Sequence, residues 1–183
     1  RAFGKKAHQV CDLADAFARG LADGGVVSVL KHIPGHGRAF ADSHMELPVV
    51  DTPLETLRQT DFIPFKALAH LPMAMTAHVL YTSIDPKNMA TVSSSAIKII
   101  RDEIGFGGLL MSDDLSMKAM QGDFTQRAKD TLSAGCDVAL HCNGEMGEML
   151  AVEKGLKPLT GKSLERAQKA MVGAGKVREF DIA

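Results

Sequence analysis

The chain has 183 residues, 45% of them hydrophobic and 23% charged, which is enough for one globular domain with its own core. A formal net charge of −1, no Trp, and no apolar run near the roughly 20 residues that span a bilayer exclude nucleic acid and membrane as expected partners. Cys11, Cys136 and Cys142 form no framework pattern and read as free thiols of a reducing compartment.

Apolar positions Val10, Leu13, Ala14, Phe17, Ala18 and Leu21 recur at helical spacing and predict a helix over 5–21. Gly24-Gly25 ends it, and Val26–Leu30 reads as a buried strand. After a long polar loop, Asp51-Thr52-Pro53 looks like a helix start, with a capping side chain followed by Pro. That helix is expected to run to about His70. Met73–Ala77 reads as a second strand, and Ser93 as the cap of a helix that stops at Gly105. Leu109–Ser112 is the third predicted strand. A helix over 125–134 stops at Gly135, Asp137–Leu140 is the fourth strand, and helices follow over 145–155 and 163–177.

Strands alternating with helices argue for a parallel sheet under covering helices. A doubly wound open sheet and a (β/α)8 barrel both fit that alternation. Polar residues end every predicted strand: Lys31-His32, His78, Asp113-Asp114 and His141. Such convergence suits a barrel mouth better than a crevice between two strands. Four strands are half a barrel and would leave two apolar edges unpaired. The chain is therefore expected to supply about the last four βα units of a barrel. The missing strands would come from upstream sequence or from another chain.

The richest segment is Lys31-His32-Ile33-Pro34-Gly35-His36-Gly37-Arg38-Ala39-Phe40-Ala41-Asp42-Ser43-His44, directly after a strand. Asp42 and His44, two apart in an extended loop, can point the same way and hydrogen-bond. A carboxylate partner would make the imidazole a proton shuttle near neutral pH. Spacing alone equally allows a pair that only stabilises the loop. Ser112-Asp113-Asp114 offers a carboxylate at a strand end, as nucleophile, base or metal ligand, or a helix cap for Leu115-Ser116-Met117. Only one of the two aspartates can face the site, and spacing does not choose between them. His32, His36, Asp42 and His44 could serve as zinc ligands, but Pro34 and two glycines break the helix that a His-x-x-x-His element needs. His78 and His141 at strand ends also suit packed, hydrogen-bonded roles. Met73, Met75, Met111, Met117 and Met120 read as core filler.

Three strings together resemble one family. They are Lys31-His32-Ile33-Pro34-Gly35-His36-Gly37, then Asp42-Ser43-His44, then Gly105-Phe106-Gly107-Gly108 running into Met111-Ser112-Asp113-Asp114-Leu115-Ser116-Met117. Ala77-His78 and Ile84-Asp85-Pro86 extend the likeness, which covers essentially the whole chain. The family is the β-N-acetylhexosaminidases of glycoside hydrolase family 3, and within it the chain is similar to bacterial cytoplasmic enzymes of cell-wall recycling.

The resemblance implies a (β/α)8 barrel, with residues 1–183 forming the C-terminal half of one catalytic domain. It implies retaining hydrolysis of terminal β-linked N-acetylglucosamine. The substrate would be a peptidoglycan-derived anhydro-muropeptide, or another N-acetylglucosamine-containing muropeptide or chitooligosaccharide. By the same resemblance Asp113 is the nucleophile, His44 the acid/base and Asp42 its partner. Lys31, His32, Arg1 and His78 are expected to contact sugar. A further sugar-binding aspartate of the family has no position in this chain. No metal or other cofactor is expected. A histidine in place of the usual acid suits one group that must be acid and base at one pH, since imidazole has a pKa near 6.5. Two other readings remain: a zinc hydrolase built on His32, His36, Asp42 and His44, and a sugar-binding half-barrel without chemistry.

Overall fold

The computed structural model describes residues 3–39, 46–175 and 177. Helix α1 (Ala7–Asp23) leads into β1 (Val29–Ile33), and a short strand β2 (Val49–Val50) follows. Then come α2 (Leu54–Gln59), α3 (Phe62–Ala67), β3 (Met73–Thr76) and a short β4 (Leu80–Tyr81). The chain continues through α4 (Ser94–Lys98), β5 (Leu109–Asp114), α5 (Phe124–Ala134), β6 (Val138–Leu140), α6 (Met146–Glu153) and α7 (Gly161–Ala170).

The main sheet is parallel throughout, in the order β1-β3-β5-β6. Each strand lies beside the next one in the chain, with no point where the order reverses. A doubly wound sheet requires such a reversal, and a (β/α)8 barrel does not. The chain therefore folds as consecutive βα units of a barrel. The small β2-β4 pair sits apart, as a parallel ladder of two residues each.

Alternation along the strands sorts the residues. Leu30, Ile33, Ala74 and Leu110 pack into one cluster with Leu57, Phe62, Leu68, Ile97, Ile100, Ile104 and Phe106 from the covering segments. Fully burying a side chain such as Phe62 contributes about 1.5–3 kcal/mol. The other face carries Val29, Lys31, Met73, Met75, Leu109, Met111 and Val138 in paired register. Met75, Met117 and Met120 are buried, whereas Met73 and Met111 on this second face are only partly so.

Several expected boundaries move, each for a local reason. The first strand pairs from Val29, because Val26 is still tied to α1 through its N–H to Leu21 O at 2.8 Å. Lys31 and His32 thus lie inside β1 rather than after it. The single helix expected to about His70 is two helices. Pro64 has no N–H to give the Thr60 carbonyl, so the helix breaks one turn upstream, at Thr60. Asp51 does not cap a helix; its carboxylate accepts from the Thr82 hydroxyl at 2.6 Å. Ser93 does cap α4, accepting from Ala96 N–H at 3.2 Å. Beyond α4 the turn widens to π-type bonding over Ile99–Glu103 before Gly105 (φ 81°) ends it. Gly135 (φ 115°) ends α5, as its position predicts.

Candidate active site

The two ladder irregularities of the main sheet fall at the C-terminal ends of β1 and β5. Register slips between Lys31 and Ile33 against β3, and between Met111 and Asp114 against β6. An extra residue in one strand breaks the two-residue alternation and re-aims a side chain. His32 and Asp113 lie within these two slips, and they turn toward each other: His32 Nε2 is 3.6 Å from Asp113 Oδ2. Both side chains are mostly buried, at 21% and 13% exposure. His36 stands edge-on to His32, with ring centroids 5.7 Å apart. Lys31 is exposed beside them.

The two consecutive aspartates divide their labour. Asp113 faces His32, and its other oxygen, Oδ1, accepts the Asp114 N–H at 2.9 Å. Asp114 turns the other way. It accepts the Ser116 N–H at 3.0 Å, the Ser116 hydroxyl at 2.6 Å and the Cys142 N–H at 3.1 Å. Burial works against ionisation of Asp114, but these hydrogen bonds and nearby His141 outweigh it and hold its pKa below the usual carboxylate value. Asp114 is thus turned away from His32, and Asp113 toward it, a difference that spacing left open. The Cys142 thiol shares this mouth: burial, Asp114 and Asp113 raise its pKa, and Lys31 opposes them.

His78 is enclosed by protein rather than facing the cleft. It has no exposed surface, and protein groups occupy both ring nitrogens. It offers no free polar atom to a sugar, so its place is in the wall behind Asp114. His141 is packed as well. Its ring stacks edge-on against Phe124 at 5.3 Å, with Nε2 3.2 Å from Glu148 Oε2 and Nδ1 4.0 Å from Asp114 Oδ1. Arg1, Asp42 and His44 lie outside the described residues. Two of the four possible zinc ligands are among these. Among the described residues no three His, Cys, Asp or Glu side chains are grouped to hold a metal.

The loop that follows β1 is clamped at its base. Arg38 Nε donates to Asp61 Oδ2 at 2.8 Å, and Tyr81 donates its hydroxyl to Gly35 O at 2.5 Å. Ser112, fully buried, accepts the Leu140 N–H at 2.9 Å and ties β6 to β5 just below Asp113. Sequence reasoning does not name Thr91 or Tyr81, and it gives Ser112 and Ser116 no role of their own beyond membership of longer strings. Their partners are 2 to 46 residues away, and lone hydroxyls carry no pattern. A shallow cavity of about 320 Å³, lined in part by Ala18, Val27, Leu71 and Lys169, lies at the opposite, N-terminal ends of the strands.

Comparison with known proteins places this geometry. Residues 1–172 match the family model described as the glycosyl hydrolase family 3 N-terminal domain. A β-hexosaminidase of Idiomarina loihiensis is 36% identical over 180 residues, covering 97% of this chain and 54% of that protein. The structure of NagZ from Neisseria gonorrhoeae in complex with N-trifluoroacetyl-D-glucosamine superposes with a TM-score of 0.82 at 34% identity, over 93% of this chain and 50% of that one. A family 3 β-N-acetylglucosaminidase from a Paenibacillus species gives 0.83 at 29% identity, over 99% of this chain and 38% of that one. The chain spans about half the length of the curated relatives it matches. With that match, the parallel βα order and Asp113 set at a strand end, the chain belongs to glycoside hydrolase family 3.

Proposed function

We propose that this chain carries the nucleophile of a retaining exo-β-N-acetylglucosaminidase. Its substrate would be a peptidoglycan-derived anhydro-muropeptide with a terminal β-linked N-acetylglucosamine, and its compartment the cytoplasm. The observation that carries the reading is Asp113 at the end of β5. One of its oxygens is held by the Asp114 N–H and the other is turned toward His32, 3.6 Å away.

In the first step the Asp113 carboxylate attacks the anomeric carbon and the glycosidic bond breaks. His44, paired with Asp42, gives its proton to the departing oxygen. In the second step the same imidazole takes a proton from water, which attacks the glycosyl-aspartate and releases the sugar with its configuration retained. Lys31, His32 and Arg1 bind the sugar. Using an imidazole as the acid keeps a second carboxylate away from Asp113 during attack.

A second set of βα units completes the barrel in this reading. Strands β1 and β6 are the edges of the sheet. The helices next to them in the chain expose Leu13 and Phe17 on α1, and Met146, Met149 and Leu150 on α6. Apolar side chains along two open edges suit burial against further strands and helices of the same barrel.

The test is Asp113→Asn in the complete protein, assayed on an aryl β-N-acetylglucosaminide. Turnover should stop while the fold persists. Unchanged turnover would remove Asp113 from the nucleophile's role. Chelator-sensitive activity with stoichiometric zinc would favour the metal hydrolase instead, and sugar binding without turnover would favour a binding module.

A further inference from the structure

We propose that His78 is a positioning residue for Asp113, acting through the backbone of Asp114 as the neutral tautomer protonated on Nε2. The proposal rests on Asp113 being the nucleophile.

The tautomer follows from what each nitrogen meets. His78 Nε2 lies 3.0 Å from the Asp114 carbonyl oxygen, which can only accept, so Nε2 carries the proton. Nδ1 is then the acceptor, and the single proton of the Thr91 hydroxyl goes to it at 2.7 Å rather than to the more distant Ala77 carbonyl oxygen at 3.2 Å. Thr91 in turn accepts the Thr76 hydroxyl at 2.8 Å. Thr76, His78 and Thr91 are all fully buried, so water does not compete for these bonds. The charged groups facing the ring are Asp113, Asp114 and Arg127. Burial outweighs the two carboxylates and keeps the imidazole neutral.

Asp114 is therefore gripped on two sides, its carbonyl by His78 and its carboxylate by Ser116 and Cys142. The next residue is pinned too, with Leu115 N–H bonded to Leu140 O at 2.8 Å. Gripped in this way, Asp114 is left with its N–H aimed at Asp113 Oδ1. That bond fixes the carboxylate plane and leaves Oδ2 as the oxygen presented to the site. A nucleophile misplaced by about 1 Å loses roughly 10²-fold in rate.

Two variants in the complete protein separate positioning from packing. His78→Phe keeps ring bulk and removes the donor. His78→Gln places an amide N–H near the position of Nε2. His78→Phe should lower kcat on an aryl β-N-acetylglucosaminide by roughly 10²-fold with KM changed little. His78→Gln should recover most of the loss. Equal losses in both variants, or a fall in thermal stability with kcat intact, would overturn the proposal. If neither variant folds, ring ¹⁵N shifts of His78 in the unmodified protein decide it. A protonated Nε2 and a bare Nδ1 from pH 5 to 8 are expected, and a proton on Nδ1 or a titration in that range refutes the arrangement. If the unmodified protein hydrolyses no β-N-acetylglucosaminide, the nucleophile reading fails, and these shifts show separately whether His78 still holds Asp114.

Discussion

His32 and Asp113 come from different strands and meet at 3.6 Å because each sits where its strand loses register with a neighbour. In an unbroken ladder the two-residue alternation alone would set where each side chain points. The imidazole borders the carboxylate oxygen that would attack, so its removal should disturb that oxygen more than the fold. His32→Ala is expected to cut kcat/KM for an aryl β-N-acetylglucosaminide by roughly 10²-fold. The urea midpoint should stay close to that of the parent. A variant with full activity would separate His32 from the reacting centre.

At the opposite end of the sheet, a buried carboxylate joins three segments. Asp137 Oδ2 accepts from Arg101 at 2.7 Å and from Leu110 N–H at 2.9 Å. Its Oδ1 accepts from Ser163 at 2.7 Å and Arg166 at 2.9 Å, tying α7 to the start of β6. Burial alone would raise the Asp137 pKa, yet these donors outweigh it and the net shift is downward. A folded-state pKa below the unfolded value of about 3.9 gives stabilisation that is complete above that pH. It is lost as pH falls through the folded pKa. Asp137→Asn should cost about 3 kcal/mol at pH 7, since it leaves two guanidinium groups without their counter-charge. It should also flatten the acid limb of the stability curve. Urea titrations from pH 3 to pH 7 measure both.

Close packing of backbone against backbone sets a third expectation. A Cβ on Gly108 would stand 2.5 Å from the Pro72 carbonyl oxygen and 2.8 Å from the Phe106 ring. Neither can yield easily. Pro72 O accepts the Leu109 N–H at 3.0 Å, and Phe106 is fully buried beneath Arg101. Gly108→Ala should therefore destabilise by about 1–3 kcal/mol. Gly107→Ala meets open space and should change stability by about 0.5 kcal/mol or less. Urea midpoints at unchanged m-value distinguish the two.

Much of this architecture is legible in the chain itself. Strands β3, β5 and β6 are short apolar runs bounded by Gly or Pro, and their alternation with helices names a parallel sheet. Helix ends at Gly105 and Gly135 and the cap at Ser93 follow from local backbone chemistry. What escapes is set by distant partners. Pro64 looks harmless near a helix start until its missing N–H is counted against Thr60. Two-residue strands such as β2 and β4 carry no period to detect. The choice between Asp113 and Asp114 depends on Cys142 N–H, and the placement of His78 depends on Thr91 and the Asp114 carbonyl. Neither relationship leaves a mark in the spacing of residues. The Lys-His-x-Pro-Gly-His-Gly and Ser-Asp-Asp strings mark candidate residues, and only the fold shows that His32 and Asp113 meet and how deeply they are buried.

The proton donor allows a prediction that depends on the leaving group rather than on the protein's geometry. If His44 protonates the departing oxygen, its value scales with how basic that oxygen becomes as the bond breaks. A phenol bearing strong electron-withdrawing groups leaves as an anion and needs little help, whereas a sugar hydroxyl needs a full proton. His44→Ala should therefore slow formation of the glycosyl-aspartate least for the most acidic aryl leaving group and most for a disaccharide. For the activated aryl substrate the second step should then become limiting, because water has lost its base, and the covalent glycosyl-enzyme should accumulate. Intact-mass measurement during turnover would show that species as one N-acetylglucosamine added to the protein and lost on Asp113→Asn. Equal slowing on every substrate, with no accumulation, would take the acid/base role away from His44.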